Sequence, residues 1–372
     1  MQLSVETADL KDAIAWAKDA LAQTQKEIAK IKLEGRRGEL KVKAAGREQS
    51  ASYAVPARVE KEGTAVVWAD LASRGIQSLS SDYSSLETEG NEVKIRSRGF
   101  NLALTQIEDD MEFPNLPPVQ GAILPSNFTL AVQRSAFAAS RQGDDPEGFK
   151  SVRMEFRGSE IVFTATNRYR LARCVVDWQA AEKECAGTAL VNASALKSIA
   201  NSFKGGSEEH PIQIAFSPED PSIIAFESAG RLRTVQLADP ALLPATERLF
   251  KDDYEVNIIL GKEEFLSTFR RVASIVDPKE DSVHVDVSPA KAVISAKNDK
   301  AQAKETIDAV LIGHAEEMDF NPSYILEGLS LITLSHIRMR MDTELKIVEF
   351  DGQSGRDGEP DPLYRYLLTP NQ

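Results

Sequence analysis

Residues able to do chemistry are few and scattered along this chain. Four histidines, His210, His284, His314 and His336, fall in no HExxH or paired spacing, and no GxSxG, P-loop or GxGxxG run occurs. Zinc hydrolysis, serine nucleophiles and nucleotide cradles therefore lack their usual frameworks. His284 alternates with Val283 and Val285 and reads as an outward strand residue. Cys174 and Cys185 lie far from any CxxC spacing and make neither a disulfide framework nor a thiolate metal site. The expectation is a protein with reduced thiols and a cytoplasmic location, without catalytic residues, metal or cofactor. One short stretch stands out, "TATNRYRLA" at residues 164–172, where a strand-like run breaks at Asn167 into two arginines around a tyrosine. Three readings are open: a solvated hairpin tip, a nucleic-acid contact, or the floor of a protein-binding pocket.

The elements that position this stretch belong to a chain of 372 residues with 42% hydrophobic content, enough for two or three ordinary cores. Its formal net charge of -13, from 44 Lys+Arg against 57 Asp+Glu, excludes a protein that coats DNA with its whole surface and leaves a local basic face open. The start, "MQLSVETADLKDAIAW", lacks the basic and apolar segments of a signal peptide, and no apolar run reaches the ~18 residues of a membrane span.

The chain repeats itself. Residues 31–55 align without gaps to residues 152–176, pairing Glu34 with Glu155, Arg36 with Arg157, Ala51 with Ala172 and Val55 with Val176. A third copy begins at Val283 and sets Asn298 under Asn167. Alternating apolar positions, Val152, Met154 and Phe156, then Val283, Val285 and Val287, mark half-buried strands. A second block, "GTAVVWADLASRGIQSL" from Gly63, aligns to "GTALVNASALKSIANSF" from Gly187 and to "MDFNPSYILEGLSLI" from Met318. Each runs from a strand into a helix whose stripe is predicted at Leu71, Gly75 and Leu79, at Ala195, Ile199 and Phe203, and at Tyr324, Gly328 and Ile332. Opening helices are predicted from Leu10, Ile14, Ala17 and Leu21, and from Phe265, Phe269, Val272 and Val276. A period this long means three like domains rather than a solenoid. Proline-rich joints at 112–125 and 238–253 divide them into 1–118, 123–244 and 254–372, each an α+β unit of antiparallel sheet plus two helices.

Three such domains, with "TNRYRLA" in the second, "FNPSYILEGL" in the third and "YRYLLTP" at the end, resemble the bacterial DNA polymerase III β subunits, the β sliding clamps. The resemblance covers essentially the whole chain, and the "RYRL" form and the ending "DGEPDPLYRYLLTP" look most like clamps of high-GC Gram-positive bacteria or their phages. It implies a non-catalytic processivity factor: a head-to-tail homodimer that closes into a ring around duplex DNA without reading sequence and tethers the replicative polymerase. A sliding ring needs diffuse phosphate attraction. Under the resemblance the inner-helix bases are Lys11, Lys18, Arg74, Arg134, Arg141, Lys197, Lys204, Lys262, Arg270 and Arg271, while the sixth helix carries Glu327 and no base.

The family pattern also decides among the readings of "RYRL". The other copies have "AGREQSA" and "KNDKAQA" there, so the turn does not itself demand this sequence. The resemblance implies a pocket where polymerase, clamp loader and repair proteins dock a linear peptide. It would gather Phe149, Thr166, Arg168, Tyr169, Arg170 and Leu171, with Pro244, Arg248 and Leu249 from the joint and Leu345, Leu367, Leu368, Thr369 and Pro370 from the end of the chain. Two departures stand out: Asn167 replaces the family's aspartate, and the tail reads Thr369-Pro370-Asn371-Gln372 where the family has methionine-proline and then arginine. The implied dimer contact maps to Arg96, Arg98, Phe100 and Leu102 against Ile275 and Val276, with a thin acidic run of Asp299 and Glu305 opposite. The competing reading is an accessory or phage clamp-like adaptor that binds partners without standard ring function.

Overall fold

The computed structural model describes residues 1–21, 28–277, 281–342 and 344–371. One element order, β-α-β-β-β-β-α-β-β-β, occurs three times. The first pass runs β1 (Gln2–Glu6), α1 (Thr7–Asp19), β2 (Lys30–Arg36), β3 (Glu39–Ala45), β4 (Gln49–Lys61), β5 (Gly63–Trp68), α2 (Ala69–Gln77), β6 (Tyr83–Glu89), β7 (Glu92–Ser97) and β8 (Phe100–Thr105). The second runs β9 (Val119–Ile123), α3 (Pro125–Ala136), β10 (Ser151–Arg157), β11 (Glu160–Thr166), β12 (Arg170–Asp177), an extra two-residue β13 (Gln179–Ala180), β14 (Ala186–Asn192), α4 (Ala193–Phe203), β15 (Ile212–Phe216), β16 (Ile223–Ser228) and β17 (Arg231–Gln236). The third runs β18 (Val256–Gly261), α5 (Lys262–Ala273), β19 (Val283–Ser288), β20 (Lys291–Lys297), β21 (Gln302–Ile312), β22 (Glu316–Phe320), α6 (Pro322–Leu329), β23 (His336–Asp342), β24 (Ile347–Gln353) and β25 (Pro360–Leu368).

Local chemistry explains the recurrence. The opening helices bury the predicted stripes, Leu10, Ile14 and Ala17 in α1 and Phe265, Phe269 and Val272 in α5. Asn192 and Asn321 cap α4 and α6, each Oδ1 accepting two backbone N–H groups, whereas Trp68 offers α2 no side-chain cap. The turn between β7 and β8 places Arg98 and Gly99 at φ 40° and 84°, and its repeat between β16 and β17 places Ala229 and Gly230 at 49° and 76°. Glycine takes the second position in both because a Cβ is strained there. The stripe predicted for α2 holds at buried Leu79 and is corrected at Leu71, which is 50% exposed; Ala69, Ala72, Ser73 and Ile76 complete the buried face. Leu102 of β8 packs on the helix at Gly75, where its Cδ2 would stand 2.5 Å from a Cβ.

The chain divides into two compact units, each described by itself. The first comprises Met1–Ser126, Trp178–Cys185 and Ser198–Leu237. Its 13-stranded antiparallel sheet runs β13-β9-β15-β16-β17-β4-β1-β6-β7-β8, with β3, β2 and β5 branching from β4. The long β4 makes this continuity possible, because residues 49–53 pair with β17 while later residues pair with β1. The second unit comprises Asn127–Asp177, Ala186–Lys197 and Ala238–Gln372, with a 12-stranded sheet ordered β14-β10-β11-β12-β25-β24-β23-β18-β21-β20-β19-β22. Here β12 pairs with β25, so the same ladder joins successive repeats in both units. Burial alternates in β2, β3, β19 and β20, yet β11 is buried at every position after Glu160. His284 is half-exposed on β19, its Nδ1 3.2 Å from Asp319. No described helix is long and apolar enough to cross a membrane.

Candidate functional site

The hairpin between β11 and β12 is a compact polar turn. Asn167 Oδ1 accepts from the backbone N–H groups of Tyr169 (3.2 Å) and Arg170 (3.1 Å), the task an aspartate would do equally well. Its amide adds what a carboxylate cannot, a donation to the Tyr324 hydroxyl at 3.2 Å. Thr166 Oγ1 donates to the Arg170 carbonyl (2.7 Å) and accepts from Arg168 N–H (3.1 Å). Arg168 is held in the left-handed region at φ 80°, its guanidinium over the Phe149 ring at 5.0 Å and paired with Asp145. A non-glycine residue there is strained, and the surrounding bonds hold the turn in that shape.

Beside this hairpin lies a cavity of about 280 Å³, lined by Phe149, Thr166, Arg168, Tyr169, Arg170, Leu171, Pro244, Ala245, Thr246, Arg248, Leu249, Ile347, Leu367, Leu368 and Thr369. Leu171 and Leu367 face one another across the β12–β25 ladder and form its apolar floor. Phe149 comes from a short 3-10 turn before β10, and Pro244 to Leu249 from the second joint. The tail is tied to the hairpin by Thr369 N–H donating to the Tyr169 carbonyl at 3.0 Å. Tyr169 is 61% exposed at the rim. An apolar concavity with a few fixed polar groups suits an extended apolar ligand with a polar head.

All the expected lining residues meet here except two. Leu345 stands outside on the turn after β23, where Asp342 Oδ1 accepts its N–H, and Ile347 lines the cavity instead. Pro370 leaves the cavity because the chain turns to pair Asn371 with Asp319, Asn371 N–H donating to the Asp319 carbonyl at 2.7 Å. Gln372 lies outside the described residues. Arg170 also corrects the expectation in part. Its guanidinium turns away from the cavity, bonding Glu327 (2.6 Å) and the Phe137 carbonyl (2.6 Å) beneath the Tyr324 ring. It supports the floor rather than presenting a charge to a ligand. Ala245, Thr246 and Ile347 carry no signal in the sequence; Ile347 comes to the cavity as the first residue of β24, one position before Val348, which pairs with Leu368.

The candidate DNA-facing bases separate into free and engaged groups. In the first unit Lys18 and Arg74 share Asp70 at 3.0 and 3.1 Å, Lys11 donates to the Leu79 carbonyl at 2.6 Å, and Lys204 is exposed after α4. In the second unit Arg141 and Lys197, with Lys150, Asn192 and Ser194, line a cleft of about 380 Å³. Burial and the neighbouring Arg141 push the Lys197 ammonium below the usual lysine range, so an anion there would relieve repulsion. Arg270 is exposed, whereas Lys262 lies against Glu263 and Arg271 against Glu305. Arg134 is corrected outright. It is 3% exposed, donates to the Leu331 carbonyl and Thr333 Oγ1, and stacks on Tyr364, so it cannot reach a phosphate. Glu327, on the base-free α6, accepts from both Arg141 and Arg170.

The proposed dimer residues split likewise. Phe100 is 44% exposed, Arg96 pairs with Glu87 at 3.1 Å, and Arg98 is exposed in its turn. Val276 is 8% exposed, a core residue of its own unit, and Ile275 is half-buried with its carbonyl accepting from Asn298. Val276 is therefore corrected from surface contact to core. Among the described residues no cluster of three or more His, Cys, Asp or Glu could hold a metal.

Comparison with known proteins agrees with this geometry. Residues 122–245 match the family model of the DNA polymerase III beta subunit, central domain, and residues 247–361 that of its C-terminal domain. The chain is 28% identical over 375 residues to the beta sliding clamp of Streptomyces coelicolor, covering 100% of this chain and 99% of the relative. It is 25% identical to the beta sliding clamp homolog GriR of Streptomyces muensis, at 100% and 99% coverage. The crystal structure of the Bacillus subtilis DNA polymerase sliding clamp superposes with a TM-score of 0.89 at 19% identity, covering 100% of this chain and 99% of the other.

Proposed function

Because the chain belongs to the DNA polymerase III beta subunit family, we propose that it works as a sliding clamp in DNA replication, a non-catalytic factor that holds a polymerase on duplex DNA by encircling it. The observation that carries this reading is a ladder built twice with a third set of edges left over. Equivalent positions Ala51 and Ala172 face Arg233 on β17 and Tyr366 on β25. The corresponding strands of the third set, β21 and β8, have no such partner among the described residues. Pairing β8 with β21 of a second copy in the same register sets Leu102 against Ala303 and Phe100 against Glu305. Two such contacts close a head-to-tail dimer, with three domains per chain at 1–118, 123–244 and 254–372.

In this reading Arg141, Lys197, Lys204, Arg270, Lys18 and Arg74 supply diffuse attraction to phosphates without base readout. The cavity beside "TNRYRL" receives a linear peptide from polymerase, clamp loader or repair proteins, with Leu171, Leu249 and Leu367 taking its apolar tip and Arg248 orienting its polar head. The protein acts in the cytoplasm. An accessory clamp is the second reading, favoured by the likeness to GriR over the whole chain. Mass in solution and retention on nicked circular against linearised DNA test encirclement. A dimer that survives salt on circles and runs off linear DNA is expected; a monomer, or equal retention on both forms, overturns the ring.

A further inference from the structure

The outer wall of the groove, residues 244–249, has little structure of its own. Its internal backbone bonds are those of one 3-10 turn, Leu249 N–H to Thr246 O at 3.0 Å and Phe250 N–H to Glu247 O at 3.1 Å. Yet the groove exists only if this strip keeps its distance from Leu171 and Leu367.

Two arginines that do not line the cavity grip the strip at its ends. Arg153 on β10 is 8% exposed, and its guanidinium donates to the carbonyls of Pro240 (3.2 Å), Leu243 and Pro244 (3.2 Å). The fit beneath is close, since a Cβ on Gly148 would stand 2.1 Å from the Leu242 carbonyl oxygen. At the other end Arg365 on β25 donates to the Lys251 carbonyl at 2.7 Å and forks onto wholly buried Glu349 at 2.6 and 2.8 Å. Arg365 also stacks on Phe250 at 4.9 Å, and Tyr254, bonded to Glu349, accepts from Lys251 N–H. A planar fork spreads five donors in fixed directions over separate nitrogens and so holds carbonyls at set positions, whereas an ammonium offers three rotating donors from a single point.

We propose that Arg153 and Arg365 are positioning residues of the peptide groove, fixing its outer wall before a ligand arrives. The inference rests on the peptide-site reading above. A wall already in place spares the ligand the ordering cost, so loosening either end weakens binding without removing a ligand contact.

The test uses the full-length protein and a fluorescein-labelled synthetic peptide with a glutamine and a leucine-phenylalanine end. Arg153→Met and Arg365→Met should each weaken peptide binding about fivefold or more. Amide exchange should rise within residues 243–251, and saturating peptide should restore protection. Arg153→Lys should fall between Met and Arg, and it carries the test if Arg153→Met does not fold. Unchanged affinity, or exchange that rises evenly through the unit, overturns the proposal. Leu171→Asp separates the two levels: if that variant still binds, the groove reading itself fails, whereas lost binding there with unchanged binding in Arg153→Met sinks only the arginine roles.

Discussion

The β4–β17 ladder of the first unit and the β12–β25 ladder of the second have the same register and opposite surfaces. In the first, one cross-strand pair is Ser50 and Thr234, buried and bonded hydroxyl to hydroxyl at 2.6 Å. In the second the equivalent pair is Leu171 and Leu367, the floor of a groove. The joints that follow differ in the same sense. Lys32, equivalent to Arg153, holds the segment leading into the first joint through the Asp109 carboxylate, while Lys43 covers Phe113 at 5.3 Å. On the proposed peptide-site reading, no new fold is needed: two leucines in place of two hydroxyls, and a joint held away from them, turn a closed seam into a groove.

The unpaired third edge provides the largest test of that comparison. Phe100→Asp would face Glu305 across the copied register, and like charges directly opposed in a ladder repel. Light scattering should find monomers, and retention on closed circular DNA should vanish. Retained dimers would mean that β8 and β21 meet in another register, which oxidative cross-linking of Asn101→Cys with Lys304→Cys would then also miss. Transplanting the first seam into the second, as Leu171→Ser with Leu367→Thr, should cost more than tenfold in peptide affinity while mass and DNA retention stay intact. Peptide binding that survives would show that the apolar floor is dispensable.

A smaller effect separates the cleft bases from the buried Arg134. Arg141→Gln with Lys197→Gln should reduce the salt dependence of DNA contact, since each phosphate contact adds roughly one to the slope. Arg134→Gln should leave the slope alone and lower the melting temperature instead, because it strips donors from Thr333 and Leu331. The smallest effect concerns the closed seam. Ser50→Ala should cost about 1 kcal/mol by orphaning Thr234, and Ser50→Ala with Thr234→Val should cost less than the single change. Denaturant melts that rank the double variant lower would assign the pair a larger role than ladder closure.

Much of the fold was legible because repetition supplies its own control. Asn167 and Asn298 align, the hairpin turns at Gly99 and Gly230 align, and apolar spacing located α1 and α5. Side-chain direction was less legible. Arg134 and Arg170 sit in stretches that look solvent-facing, and their burial depends on Thr333 and Glu327, which are distant in sequence. Leu71 misled because α2 buries Ala69, Ala72, Ser73 and Ile76 on one side, leaving a leucine on the other. Most of the groove lining was found from the family pattern, but Ile347 and the gripping arginines needed the strand pairing to be known.

The grip of Arg153 falls on carbonyl oxygens, which every residue possesses. Side chains along that strip are thus free to vary under selection without loosening it. On the proposed peptide-site reading, a lineage can change wall residues one at a time, and with them the peptides the groove takes, while the grip on the backbone is inherited unchanged.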